Sequence, residues 1–299
     1  METLTHRVDF VAVFTVENAN PNGDPLNGNR PRTTMDGYGE ISDVAIKRKI
    51  RNRLQDMGER IYVQSEERAD DGASSLADRW RTFEKTISQE KQKKPDRDEF
   101  KKRACEQWID IRSFGQVVAA PETAKGMNDA VSIGIRGPVT VQSAYSTIPV
   151  TVEDIQITKS VNGVPPKKAD KSKQDDQEDQ DKKGMSSDRI GMKHRIAGKV
   201  VYVTRGGISP QLAERTGFTD SDAEKIKEAL RTLFDNDESS ARPAGSMSVN
   251  EVVWFEHENK AGQYSSRKVH DAVKVLDNGQ VKVETDDIPG LSYQIIMGR

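Results

Sequence analysis

Residues 8–16, VDFVAVFTV, carry apolar side chains on both alternating sets: Val8, Phe10, Ala12, Phe14 and Val16 on one, Val11 and Val13 on the other. Successive side chains of a strand point to opposite faces of its sheet. A strand apolar on both faces therefore belongs at the centre of a sheet that is covered twice. This one run excludes an open single-layer fold and requires packing partners above and below.

The rest of the chain supplies candidates for that cover. ENANPNGDPLNGNRPR (17–32) is too dense in Asn, Gly and Pro for a helix or a strand and reads as a long loop. Ser42 or Asp43 then caps a helix running to about Asp56, with Ile46, Ile50, Leu54 and Met57 as its inward stripe. Core-like sequence returns at IDIRSFGQVV (109–118), and GPVTVQSAYSTIPV (137–150) alternates as a strand does. GKVVYVTR (198–205) is a further strand. Thr219 and Asp222 offer a capping-box start to a helix through about Asp235, facing inward with Ile226, Ala229, Leu230, Leu233 and Phe234. EVVWFEH (251–257) is the last long strand.

Two polar segments interrupt this series. Residues 58–107 read as an inserted, mostly helical subdomain, whose stretch 85–103 holds eight basic groups against four acids. A second insertion, 156–197, has at its centre (167–183) six Lys and six Asp/Glu with no apolar side chain larger than Ala. Such a segment buries too little surface to offset its ordering entropy and is expected to be mobile when free. Removing both leaves strand, helix, strand, strand, helix, strand. That is the split βαβ or ferredoxin-like order, shared by the RNA-recognition motif and by other α+β folds. The expected fold class is α+β: one sheet-based body from 1–57, 108–155 and 198–299, with the insertions 58–107 and 156–197.

Composition agrees with a core diluted by polar insertions. Apolar residues make up 34%, or about 41% with Gly, below the roughly 45–50% of compact domains. The formal net charge of −2 means that any anionic partner must be held by a local patch rather than by the chain as a whole. The single cysteine, Cys105, excludes an internal disulfide framework and fits a reducing, cytoplasmic compartment. No stretch approaches 18 apolar residues and the first ten carry no apolar leader, so neither membrane spanning nor secretion is expected.

Catalytic signatures are missing from the sequence. It contains no P-loop, GxGxxG, HExxH, GxSxG or paired CxxC motif, and His6, His194, His257 and His270 lack metal-ligand spacing. We expect no catalytic residue, no metal and no cofactor. Three features point instead to a polyanion. VAIKRKIRNR puts Lys47, Arg48, Lys49, Arg51 and Arg53 within seven residues, with Lys47, Arg48 and Arg51 within about 100° of one another on a helical wheel. Three cations on one flank can meet successive phosphates, although a solvated helix face has the same pattern. In the preceding loop Asn18, Asn20, Asn22, Asn27 and Asn29 supply amides, Gly23 and Gly28 allow close backbone approach, and Arg30 and Arg32 bracket Pro31. Finally, GMSSDRIGMKHRI (184–196) sets Met185 and Met192 among Arg189, Lys193, His194 and Arg195, an arm with an apolar wedge amid cations.

ENANPNGDPLNGNRPR followed by SDVAIKRKIR resembles the backbone subunit of the type I-C CRISPR surveillance complex (Cascade), a member of the RAMP superfamily built on a modified RNA-recognition-motif palm. DIRSFG (110–115), GPVTVQSAYSTIPV, GMKH (191–194) and ISPQLAERTGF (208–218) follow in the family's order. The resemblance implies helical fingers at 58–107 and an extended thumb arm at 156–197. It implies a non-catalytic subunit that lines up head to tail along a CRISPR guide RNA and displays it for pairing with target DNA in antiviral defence. Implied partners are the guide RNA, target DNA through the guide, further copies of the chain, the guide-processing cap subunit, the large subunit and a recruited helicase-nuclease. By motif, Lys47, Arg48 and Arg51 look like guide-backbone contacts, Asn22, Arg30 and Arg32 like the loop wall, and Met185, Lys193 and His194 like the thumb root. Two alternatives stand beside this reading: a RAMP-type endoribonuclease using the loop residue Asp24, and a lone RNA-binding module that does not oligomerise.

Overall fold

The computed structural model describes residues 2–91, 97–118, 132–158, 189–276 and 278–299. Along the chain β1 (Val8–Glu17) leads into the short pair β2 (Gly23–Asp24) and β3 (Arg30–Pro31), then β4 (Tyr38–Ile41) and α1 (Asp43–Asp56). Three helices follow, α2 (Leu76–Lys91), α3 (Arg97–Gln107) and α4 (Ile109–Phe114), and then the antiparallel pair β5 (Gly115–Val118) and β6 (Ile133–Arg136). β7 (Val139–Val141) and β8 (Ala144–Pro149) precede a second pair, β9 (Val152–Thr158) and β10 (Arg189–Ile196). Next come β11 (Lys199–Ile208), α5 (Pro210–Thr216), α6 (Asp220–Arg231) and β12 (Met247–Glu256). The chain closes with α7 (Ser266–Asp271), the pair β13 (Val273–Val275) and β14 (Val281–Val283), and β15 (Ser292–Met297).

Among the described residues the main sheet is antiparallel in the order β15-β12-β1-β11-β8-β4, with β7 also paired to β11. β1 lies in its middle, as its two apolar faces require. Phe10, Phe14 and Val16 pack on one side against Ile46, Ile50 and Leu54 of α1 and Ile226 and Leu230 of α6. Val11 and Val13 pack on the other against Val269 of α7, Val273, Ile288 and Leu291. Each such fully buried side chain stabilises by about 1.5–3 kcal/mol relative to exposure. The fold is thus a mixed helix-and-sheet body with helices α1 and α6 on one sheet face.

Local chemistry sets the helix ends. Ser42 caps α1, its hydroxyl accepting from the Ala45 N–H at 3.3 Å, and the helix stops at Asp56. Met57, expected in the inward stripe, lies one residue past the end and is 36% exposed. Thr219 and Asp222 form the full capping box at the start of α6. This helix ends at Arg231, earlier than expected, yet Leu233 and Phe234 remain buried in the turn that follows.

The first insertion has its own apolar centre of Tyr62, Trp80, Phe83, Phe100 and Trp108, with ring centroids 4.7–6.4 Å apart. Ile111 and Val118 join it, so this body extends past residue 107 into α4 and β5. Cys105 is buried there, and burial pushes its thiol up to about 11, leaving it protonated and unreactive at neutral pH. No described helix is long and apolar enough to cross a membrane.

Candidate nucleic-acid interface

The loop and α1 are stitched together at the helix start. Asn22 accepts the Ser42 N–H through Oδ1 at 2.9 Å, and its carbonyl accepts the Arg32 N–H at 3.0 Å. Lys47, one turn into α1, pairs with Asp43 at 2.9 Å and stays partly exposed. The loop also packs on itself. Gly23 lacks a side chain because the Asn29 carboxamide occupies that space: a Cβ there would lie 2.0 Å from Asn29 Oδ1. Gly28 and Asn29 both adopt left-handed backbone, at φ 58° and 59°. Asn20 is buried and donates to the Asn29 carbonyl at 2.8 Å, while its Oδ1 and the buried Nε of Arg32 have no hydrogen-bond partner. Both are spare hydrogen-bonding atoms within the candidate wall.

The cations of α1 divide into two groups. Arg48 donates to the Val63 carbonyl at 2.6 Å, and burial lowers its pKa, with Arg51 acting in the same direction. Arg51 donates from Nε to Asp110 at 3.0 Å and sits over the Phe114 ring at 5.0 Å. Lys49 pairs with Asp237, and Arg53 donates to Thr232 at 3.1 Å. Arg48 and Arg51, expected on an open flank beside Lys47, are thus turned toward the first insertion. A wheel gives the direction of a side chain around the helix axis but not what packs there, and here the aromatic body does.

The second pair, β9 and β10, meets the loop through a carboxylate that the sequence reading missed. Asp154 lies directly across from His194 in the register. His194 Nδ1 is 2.7 Å from Asp154 Oδ1, and Arg30 donates to both Asp154 oxygens at 2.6 and 2.7 Å. The Arg30 hydrogen bond, followed by that of His194, holds the Asp154 carboxyl below its ordinary range. Lys193 pairs across with Ile155, so it points to the opposite face of the pair from His194. It has no ion-pair partner among the described residues. Loop, α1 start and β9–β10 base therefore form one continuous surface bearing Asn22, Arg30, Arg32, Lys47 and His194, with Lys193 at its margin. Met185 lies outside the described residues.

DIRSFG proves to be a clamp. Asp110 is fully buried and accepts the Tyr62 and Val63 N–H groups at 2.7 and 3.0 Å besides Arg51. Arg112 reaches Asp222 of the α6 capping box through two nitrogens at 2.8 and 2.9 Å. Gly115 has φ 77°, and a Cβ there would fall 2.2 Å from the Ile135 carbonyl oxygen. An acid between two apolar residues, Ile109 and Ile111, was the signal available in the sequence, since a buried carboxylate requires a cation.

Asp24 accepts the Leu26 N–H at 3.2 Å and lies 3.4 Å from Arg32. Far from the loop, Asp9 is buried at the start of β1 among His257 at 2.9 Å, Ser266 at 2.5 Å and Arg7 at 3.2 Å. Burial raises its carboxyl, but His257, Ser266 and Arg7 together bring it below the usual value. His257 Nδ1 accepts the Gln263 N–H at 2.9 Å, which leaves Nε2 as the donor to Asp9 and fixes a neutral tautomer. Among the described residues no group of three or more His, Cys, Asp or Glu side chains is arranged to hold a metal ion.

Comparison with known proteins matches residues 6–290 to the family described as CRISPR-associated protein Cas7. The CRISPR-associated protein Cas7 of Haloferax volcanii is 44% identical over 66 residues, which are 22% of this chain and 19% of that protein. The aligned stretch therefore spans about a fifth of that relative's length. A chain of a solved "CRISPR RNA-guided surveillance complex, pre-nicking" is 15% identical with a TM-score of 0.49, over 83% of this chain and 78% of that one. A chain of a second "CRISPR RNA-guided surveillance complex" is 17% identical with a TM-score of 0.43, over 83% and 68%. With the family match running almost the whole length of the sequence, the chain belongs to the CRISPR-associated protein Cas7 family.

Proposed function

We propose that this chain is a non-catalytic, guide-RNA-binding backbone subunit of a type I-C CRISPR surveillance complex, which assembles head to tail along the guide and presents it to target DNA. Its palm is a modified RNA-recognition motif: β1, α1, β8, β11, α6 and β12 follow in the strand-helix-strand-strand-helix-strand order, and their strands lie side by side as β12-β1-β11-β8. The first insertion is the fingers and the second the thumb. Sequence is read by Watson–Crick pairing through the guide, so the protein itself needs to hold only backbone and shape. The cap subunit, the large subunit and a recruited helicase-nuclease complete the assembly in the cytoplasm.

One observation carries this reading: the Arg30–Asp154–His194 bridge, which fixes the loop against the base of the thumb. A strand lying there meets Arg30, Arg32 and Lys47 from one side and the thumb base from the other. Arg48 and Arg51 act from beneath, holding α1 to the fingers so that Lys47 is presented at a fixed angle. A nuclease would need Asp24 free to act on substrate, yet this carboxylate caps the turn at Leu26 and faces Arg32. Electron microscopy of the chain co-expressed with a repeat-derived RNA tests the proposal. Helical filaments containing RNA are expected; RNA-bound monomers or closed two-fold dimers would contradict it.

A further inference from the structure

The two edges of the main sheet are finished differently. β4 is covered by the loop: the Glu40 N–H donates to the Arg32 carbonyl at 2.9 Å, and Thr33 bridges to Gly39. β15, at the opposite edge, pairs with β12 alone among the described residues. Its register with β12 is unbroken from Ser292 to Met297 and continues to Gly298, whose N–H donates to the Asn250 carbonyl at 2.9 Å. Hydrogen-bonding direction alternates along an antiparallel strand. The even-numbered residues therefore face β12, and the N–H and C=O groups of Tyr293, Ile295 and Met297 point outward with no strand to meet.

The same three residues carry the exposed apolar side chains of this strand. Tyr293, Ile295 and Met297 are 38%, 44% and 63% exposed. They stand on the sheet face of Phe255 and Val253, where the Tyr293 and Phe255 ring centroids are 5.7 Å apart. SYQIIM holds no charge, no proline and no bulge, the devices that keep edge strands from pairing with one another. Charge lies only beyond its ends. Asp286 and Asp287, in the turn before β15, are exposed and make no side-chain hydrogen bond or ion pair among the described residues. Arg299, just past the strand, pairs with Asp235 at 3.3 Å and is 70% exposed.

We propose that β15 is a self-association edge: in the chain free of RNA, two copies pair their β15 strands antiparallel about a two-fold axis at Ile295. In that register Ile295 faces its own counterpart and Tyr293 faces Met297 of the second copy. The outward backbone groups of all three residues are then paired, and each apolar side chain gains an apolar neighbour. Antiparallel pairing also sets the acidic start of one strand beside the end of the other, so Asp286 and Asp287 approach Arg299 of the second copy, once at each end of the isologous interface. A parallel arrangement would bring the acids of both copies together. β15 is only six residues long, which puts the pair among weak, exchanging interfaces. The loop, the start of α1 and the β9–β10 pair take no part, so this association stands apart from guide binding.

Sedimentation of the full chain without RNA, from about 1 to about 100 μM, should show a monomer passing into a dimer. Ile295→Lys sets like charges opposite each other at the axis and should weaken the dimer about tenfold at an unchanged melting temperature. Asp286→Lys with Asp287→Lys should also weaken it, and adding Arg299→Glu should restore it, a rescue that loss of structure would not give. Ile295→Cys should yield a disulfide-linked dimer on mild oxidation, because hydrogen-bonded residues facing each other across antiparallel strands have Cα atoms about 5.5 Å apart and the native Cys105 is buried. A chain that stays monomeric throughout that range would overturn the proposal and leave the edge to a strand of another protein. A dimer that Ile295→Lys does not weaken and Ile295→Cys does not link would place the contact elsewhere and overturn it as well.

Discussion

Arg51 donates to Asp110 at 3.0 Å, and Asp110 has no exposure to solvent at all. With the Tyr62 and Val63 N–H groups on the same carboxylate, this contact is where α1 and the aromatic body of the first insertion are joined. Asp110→Ala removes the acceptor shared by the Arg51 guanidinium and two backbone donors, and leaves the Tyr62 and Val63 N–H groups without it. Breaking such a pair costs about 3–5 kcal/mol. We expect a matching fall in urea stability, followed by the fluorescence of Trp80 and Trp108, which lie in that body. A loss under about 1 kcal/mol, the range of exposed pairs, would contradict the clamp.

Much of the framework was legible because it is local. β1 announces its two-sided burial in nine residues, and Ser42 and the Thr219–Asp222 box mark helix starts through contacts three residues apart. Neither the split of the α1 cations nor the anchoring of the loop was legible, because Arg51 of α1 meets a carboxylate 59 positions away and Arg30 of the loop one 124 positions away. Periodicity gives a direction for each side chain but no partner across such spans. The Asn and Gly of the loop suggested an open wall; half of that prediction was absorbed by Asn29 filling the space at Gly23.

Asp154→Asn should loosen the loop without unfolding the protein, since both Arg30 and Asp154 lie at the surface. Hydrogen exchange of residues 22–32 should rise while the melting temperature changes little. The Asp154 carboxyl is held below its usual 3.8, so its contribution is present above that pH and is lost as pH falls further, through its lowered folded value. Loop exchange in the wild-type chain should accordingly match the variant's only in strong acid.

Gly115→Ala combines left-handed backbone with a clash against the Ile135 carbonyl. Overpacking of this kind costs about 1–3 kcal/mol and the backbone conformation adds to it. Denaturant midpoints should show the loss, whereas Gly28→Ala, with nothing within 4 Å, should show only the backbone part.

His270 is buried and donates to the Gly206 carbonyl at 3.0 Å; burial lowers its pKa below the ordinary 6.5, with Gly206 and Asp9 opposing. The unfolded chain then binds a proton more readily than the folded one, so stability rises with pH through the window beneath 6.5. Melting temperature should fall as pH is lowered from 7 toward 5, and the fall should be shallower in His270→Gln. An equal fall in both proteins would assign the acid sensitivity elsewhere.

In the proposed function, guide phosphates are held at the joined surface of loop, α1 start and β9–β10 base. The most direct measurement is the salt dependence of RNA affinity for the wild-type chain, for Arg32→Ala/Lys47→Ala/Lys193→Ala and for Arg51→Ala. With about 0.7 per single-strand contact, the triple variant should flatten the log–log slope by about 2 and weaken every RNA sequence alike. Arg51→Ala, measured where it is folded, should keep the wild-type slope. A triple variant with the wild-type slope, beside an Arg51→Ala chain whose slope collapses, would place the guide on the finger side of α1 and contradict the account.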